Sequence, residues 1–196
     1  MSYQWELKTA PTVEPVTLAE VKLHLRVDHS ADDTVLSSLI KSARQEVETE
    51  TGRAIVTQTR LLRLSCFPDG SEYRLQLPGS PVASISSVKY IADAGSQQTW
   101  SSANYALRQG EPAWLQLGYD KEWPEHRSTQ DEIEIEYVCG SAVSSIDERL
   151  KQAVLFKVQA TYSELDEKET RRVIHAASSL VQQLRIGEEF TEYGRD

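Results

Sequence analysis

Cysteine is scarce in this chain: Cys66 and Cys139 are its only two. Neither has a second thiol at the short spacing of a metal site. They read as two reduced residues on or near β-strands. A disulfide between them stays geometrically open, with nothing in the sequence to support it. Long apolar runs are also missing. None approaches the ~20 residues that a membrane-crossing helix needs. The first ten residues are polar and include Glu6 and Lys8, which is not the pattern of a secretory signal. The expectation is a protein assembled in the cytoplasm, with no membrane partner. Basic residues are outnumbered: 21 Lys and Arg against 30 Asp and Glu give a formal charge of −9 and a pI near 5.0. Duplex-DNA binders carry a basic footprint, and here the cations are scattered. An acidic wall is nonetheless compatible with DNA sliding past without sticking. Catalytic signatures are missing too. His24, His29, His126 and His175 have no partner at i,i+4 and no HExxH context. There is no phosphate-cradling GxxxxGK[ST], no GxGxxG and no GxSxG elbow. The expectation is a non-enzymatic protein without cofactor or metal.

What is present is a chain of 196 residues, 39% hydrophobic and 26% charged. That is long enough to bury a core without staples, and it suits one domain or a domain with a sub-domain. A mean hydropathy of −0.47 fits a soluble protein.

The hydrophobic period divides the chain into helices, then strands, then helices. Thr17 and Glu20 form a capping box, with Val16 and Val21 placed as a hydrophobic staple. Leu18, Val21 and Leu25 share one face of a helix that stops near Val27–Asp28. Ser30 with Asp33 signals a second helix, running from about Ala31 to Thr51. Its apolar face is Leu36, Ile40, Ala43 and Val47, widened by Val35 and Leu39, and Gly52 is placed to end it. From Arg53 the period shortens. Ala54–Leu64, Tyr73–Leu77, Ile85–Ile91, Ala113–Leu117 and Ile133–Val138 read as strands, separated by Pro/Gly/Asp turns. About six short strands at this spacing predict a small antiparallel sheet, sandwich or open barrel. Helical signals return with Ser145 and Glu148 as a third capping box. Ile146, Leu150, Val154, Val158 and Tyr162 form a stripe, and Val173, Ala176, Ala177, Leu180, Val181 and Leu184 mark a last helix that Gly187 ends. The predicted fold class is α+β: an antiparallel helical core of about four helices with an inserted small antiparallel β domain. The implied boundaries are 1–53 and 141–187 for the helical core, 54–140 for the β insertion and 188–196 for a tail.

Few residues suggest chemistry, and each has a plain structural reading beside the functional one. Asp28, Asp32 and Asp33 cluster near His29, as a metal or acid–base site would. Carboxylates at a helix start also offset its exposed N–H groups and dipole. Glu132, Glu134 and Glu136 alternate along a strand, making a channel or partner face, or else a solvated face that discourages edge pairing. Trp100, Trp114 and Trp123 could stack on sugars, giving a carbohydrate-binding module, or could pack a core. The loop Gly118–Pro124 could pack on the sheet or contact a neighbour. The final residues set Phe190 and Tyr193 among Glu188, Glu189, Glu192 and Arg195, where a disordered tail usually lacks bulky aromatics. They could anchor in a partner's groove or dock on the chain's own body.

The run from Pro15 to Val27 (Pro-Val-Thr-Leu-Ala-Glu-Val-Lys-Leu-His-Leu-Arg-Val) is followed by Asp32-Asp33, Leu39-Ile40-Lys41-Ser42-Ala43-Arg44, Val47-Glu48 and Thr51-Gly52-Arg53. This order resembles the two N-terminal helices of the head–tail connector, or adaptor, family of long-tailed phages and gene transfer agents. Leu77-Pro78-Gly79-Ser80-Pro81-Val82, then Ile85 and Val88-Lys89-Tyr90, Trp123-Pro124 and Tyr137-Val138-Cys139-Gly140, are similar to its larger members with a β insertion. Ile146–Tyr162 resembles the family's next helix, with Ser145 standing where a proline is usual. The resemblance covers about residues 11–163. It implies a structural subunit of the virion neck, at the head–tail interface, forming a dodecameric ring with copies of itself beneath the portal protein. The ring would extend the DNA channel, let DNA pass without sequence-specific binding, and support a stopper or tail-completion protein. Within it Phe190, Tyr193 and Arg195 are expected to dock on the portal, and Glu132, Glu134 and Glu136 to face the channel or a partner.

Overall fold

The computed structural model describes residues 3–69, 72–127, 133–162 and 167–186. It is α+β, and it divides into two compact units, each assembled from separate stretches of chain. One contains Met1–Ala10 and Thr57–Gly140; the other contains Pro11–Val56 and Ser141–Ile186.

The helical unit holds α1 (Leu18–Leu25), α2 (Asp33–Thr51), α3 (Glu148–Tyr162) and α4 (Glu167–Leu184). The capping box of α1 is formed as expected. Thr17 Oγ1 accepts from the Glu20 amide at 3.2 Å, and the Glu20 carboxylate accepts from the Thr17 amide at 2.6 Å. These bonds to Thr17, first the backbone one, hold the Glu20 carboxyl below its ordinary value. Arg26, in the left-handed region at φ 57°, closes the helix, with its amide and that of Val27 returning to Leu23 and Lys22. Gly52 does the same for α2 at φ 69°, a conformation glycine adopts without steric cost.

Two helix starts differ from the reading. Asp32, not Ser30, is the N-cap residue of α2, and its side chain makes no capping bond. Ser30 contributes its carbonyl instead, accepting from Asp33 at 3.4 Å. Ser145 lies in a short 3-10 turn, Val143–Ser145. Asp147 takes over the role expected of it: its Oδ1 accepts from the Arg149 amide at 2.8 Å, one of the donors a helix start leaves open.

The apolar stripes converge on one core. Val21, Leu36, Val47, Val154 and Val158 are at most 1% exposed, with Val16, Ile40, Leu150, Val181 and Leu184 beside them. Through this core runs a buried ionic relay. The Arg44 side chain is 5% exposed, its Nε donating to Glu14 at 2.7 Å and its Nη1 to Glu48 at 2.8 Å. The second oxygen of Glu48 accepts from the Ile55 amide at 2.8 Å. One arginine thus ties the segment before α1 to the segment after α2.

The β unit contains two antiparallel sheets. The first orders β1 (Tyr3–Thr9), β2 (Gln58–Leu64), β8 (Ile133–Cys139), β4 (Val82–Ile91) and β5 (Gln97–Thr99) as β1-β2-β8-β4-β5. The second orders β3 (Arg74–Leu77), β7 (Ala113–Leu117) and β6 (Tyr105–Arg108) as β3-β7-β6. Strand β1 lies within the stretch that the sequence reading placed with the helices; β5 and β6 were not among the expected strands. Each sheet buries one face. Leu62, Leu64, Val88, Ile133, Ile135 and Tyr137 are fully buried in the first, and Leu75, Leu77, Ala113 and Leu115 are at most 4% exposed in the second. Burial pushes the Tyr137 phenol far above its ordinary value, and its hydroxyl donates to the Pro78 carbonyl at 2.8 Å. Gly79, at φ 81°, lets that turn lie over the buried Arg60: an added Cβ would meet the guanidinium at 2.0 Å.

Candidate functional surfaces

The acidic cluster beside His29 is brought apart by the fold. Asp33 pairs with Lys22 of α1 at 2.8 Å, and Asp32 accepts from the Tyr162 hydroxyl of α3 at 2.7 Å. The start of α2 is thereby stitched to two neighbouring helices. Among the described residues no group of three His, Cys, Asp or Glu could hold a metal ion, and no described helix is long and apolar enough to cross a membrane. Both cysteines are free thiols, Cys139 buried and Cys66 half-buried.

Of the tryptophans Trp100, Trp114 and Trp123, two belong to a packed aromatic cluster. Phe67 stacks on Trp123 with ring centres 5.1 Å apart, and Trp100 lies 5.7 Å from Phe67 and 5.2 Å from Tyr105. Tyr90 and His126 close on Phe67 edge-on. The cluster therefore joins β4 of one sheet to β6 of the other. Trp100 is 7% exposed, and the Trp123 indole N–H donates to the Glu72 carbonyl at 2.7 Å. Trp114 is covered by the Arg74 guanidinium, 4.2 Å above its ring. Sugar recognition needs open ring faces; Trp100 and Trp123 turn faces to neighbouring rings, and one face of Trp114 is covered. In the loop Gly118–Pro124, Trp123 packs inward against Phe67, and Tyr119 is 98% exposed.

Glu134 and Glu136 lie on β8, the middle strand of five, so they guard no sheet edge. They belong to a charge ladder across three strands. Arg63 of β2 reaches Glu6 of β1 at 2.8 Å and Glu134 at 3.3 Å, and Lys8 of β1 reaches Glu136 at 2.6 Å. This face is wet but largely neutralised, which differs from a bare acidic wall. Glu132 lies outside the described residues, as do Phe190, Tyr193 and Arg195.

Two features were missed at the sequence level. Strand β1 is the edge strand of its sheet among the described residues, with Trp5 and Leu7 exposed on it. In α4, Lys168, Arg171, Arg172 and His175 are all exposed and, with Glu167, line one open recess. Their spacing, i, i+3, i+4 and i+7, was legible as one helix face. Arg171 pairs with Glu167 one turn back. Among the described residues Lys168 and Arg172 make no ion pair. The helical unit also exposes Leu23 of α1 (81%) and Val35 of α2. Such surfaces carry docking chemistry: unpaired charge, open backbone and isolated apolar side chains.

Likeness to known proteins bears on what docks there. Residues 15–99 match the family model described as phage gp6-like head-tail connector protein. No curated protein shows significant sequence similarity to the chain. Among solved structures, a chain in the neck of an empty GTA particle, computed with C6 symmetry, superposes with a TM-score of 0.76 at 20% identity, covering 98% of this chain and all of that one. A chain in the virion of a native gene transfer agent particle gives 0.77 at 20% identity, with the same coverage. One in the neck of a native GTA particle, computed with C12 symmetry, gives 0.70 at 22%, covering 97% of this chain and all of that one. At these identities the likeness is one of fold, and it extends through both units.

Proposed function

We propose that this chain is a head–tail connector protein of a phage or phage-like particle, a structural subunit that forms a ring in the particle's neck. The observation that carries the reading is the combination of a connector-type sequence over residues 15–99 with a fold shared along 98% of the chain with a subunit of a gene transfer agent neck. A ring subunit needs a rigid body and two different, complementary contact surfaces. The buried relay through Arg44 and the aromatic cluster around Phe67 supply rigidity. Exposed edges and charged helix faces are available for contact.

In this reading the ring is dodecameric and sits beneath the portal, continuing the DNA channel, and a stopper or tail-completion protein attaches on its far side. Phe190, Tyr193 and Arg195 dock on the portal. The row Glu132, Glu134 and Glu136 faces the channel or a partner. Should the ladder face DNA, its internal pairing leaves few cations for phosphates to bind, so DNA would pass without being held. The role is structural, with neighbours as its ligands. The testing measurement is mass by light scattering, on the protein alone and mixed with its cognate portal. A ring mass, or stoichiometric joining to the portal, is expected. A monomer indifferent to the portal overturns the proposal.

A further inference from the structure

The first half of α4 concentrates like charge where a helix least favours it. Lys168, Arg171, Arg172 and His175 share one exposed face within eight residues, in a chain whose net charge is −9. Like charges at i,i+3 and i,i+4 repel, and cations near a helix N-terminus oppose its dipole. Glu167 offsets one of them through its pair with Arg171. Lys168 and Arg172 make no ion pair among the described residues, although Glu169, also exposed, stands in the same turn. A surface arranged this way is complementary to an acidic segment supplied from elsewhere.

The chain itself encodes such a segment. The last ten residues, Gly-Glu-Glu-Phe-Thr-Glu-Tyr-Gly-Arg-Asp, contain four carboxylate side chains and one cation. We propose that Glu188 and Glu189 of one copy engage the Lys168–Arg171–Arg172 stripe on α4 of the adjacent copy, forming a clasp between neighbours. This rests on the ring reading above.

Reach favours the neighbour over the same molecule. Arg172 lies twelve residues before Leu184, so it stands ~18 Å back along the helix. Ile186 is pinned by its amide to the Thr51 carbonyl at 2.9 Å. From there the backbone reaches Glu189 within ~10 Å even when fully extended. Meeting its own stripe would require an immediate reversal and full extension of both side chains. A neighbour's helix imposes neither. The clasp also leaves Phe190 and Tyr193, just beyond it, free to continue to the portal.

Two variants test the clasp. Glu188→Lys with Glu189→Lys reverses the tail, and Lys168→Glu with Arg171→Glu and Arg172→Glu reverses the stripe. All the stripe positions are exposed, and circular dichroism checks that each variant is folded. Ring mass is followed by light scattering against dilution, with the portal present if the ring needs it. Each variant alone should dissociate at a concentration roughly tenfold or more higher than the wild-type protein, since a few exposed ion pairs are exchanged for repulsion at every interface. An equimolar mixture should recover wild-type behaviour, because alternating copies present opposite charges at each contact. Variants that assemble like wild type overturn the clasp while leaving the ring intact. A mixture that fails to recover overturns the inter-copy assignment. Wild-type protein that never exceeds monomer mass, with or without portal, overturns the clasp and the ring reading together. A fluorescent DNA duplex bound by wild type and lost only in the stripe variant, with assembly unchanged, assigns the stripe to phosphate and overturns the clasp as well.

Discussion

Replacing Arg44 with methionine removes the central charge of the relay while keeping an unbranched apolar stem. The Glu48 side chain is 9% exposed and Glu14 20% exposed, so the two losses are unequal. Taking away one partner of a buried pair costs about 3–5 kcal/mol, because the remaining charge is stranded, whereas a more exposed pair is worth about 0–1 kcal/mol. The expected cost is therefore about 3–5 kcal/mol, dominated by Glu48, against a total stability of about 5–15 kcal/mol for a typical domain. Adding Glu48→Gln should recover part of it. The amide has no charge to strand, and its oxygen still accepts from the Ile55 amide, now held by Glu48 at 2.8 Å. Urea unfolding at neutral pH, followed by far-ultraviolet circular dichroism so that the helices dominate the signal, measures both variants. A loss below about 1 kcal/mol for Arg44→Met would mean that the relay is surface-like despite its burial. A double variant no more stable than the single one would refute the stranded-charge account.

Tyr137→Phe removes the hydroxyl that reaches Pro78, leaving a buried carbonyl without that donor; a loss of about 1–2 kcal/mol is expected in thermal or urea unfolding. Gly79→Ala forces a Cβ into Arg60 at a positive φ, and should cost about 1–2 kcal/mol from backbone strain alone, with the clash added; the same unfolding assay reads it. Glu20→Gln addresses pH. The folded carboxyl is held below its ordinary value, so its contribution is complete above that value and fades as pH falls through the lower folded one. The stability difference between wild type and Glu20→Gln should hold at neutral pH and close in acid; a difference that grows on acidification would contradict the capping account. For the tail, Phe190→Ala with Tyr193→Ala should weaken portal attachment in a pull-down while leaving the melting temperature unchanged; undiminished attachment would remove the tail from the portal contact.

Long periodic elements were the most legible. The face of α2 repeats four times over its length, and Thr17 with Glu20 sits directly before an apolar run, so both were placed from residues alone. Helix starts were less secure, because Ser145 and Asp147 are both good caps two residues apart. The choice fell to a 3-10 turn that no local pattern announced. Strand β1 alternates Tyr3, Trp5 and Leu7 with Gln4, Glu6 and Lys8, yet its partner β2 lies fifty residues on, and pairing at that distance leaves no local mark. Strand β5 is fully exposed and exists only through its bonds to β4. Among the site candidates, the glutamates of β8 were read as acidic because their counter-charges, Lys8 and Arg63, come from other strands. The α4 stripe is legible as spacing, but a chain-wide count in which acidic residues outnumber basic ones conceals it.

The position of β8 has a consequence for how the protein is made. It is the central strand of its sheet, yet the last to be synthesised of the eight strands among the described residues. Until Ile133–Cys139 leaves the ribosome, β2 and β4 have no strand between them, and β1 waits with a single partner. The helical core is deferred further, since α1 and α2 meet their covering helices only after residue 148. Closure of the first sheet and of the helical core therefore waits for residues from 133 onward, while the β3-β7-β6 sheet can already have formed. A nascent chain stalled before that point would display the apolar faces of α2, β2 and β4 together, and would be a natural substrate for a holding chaperone.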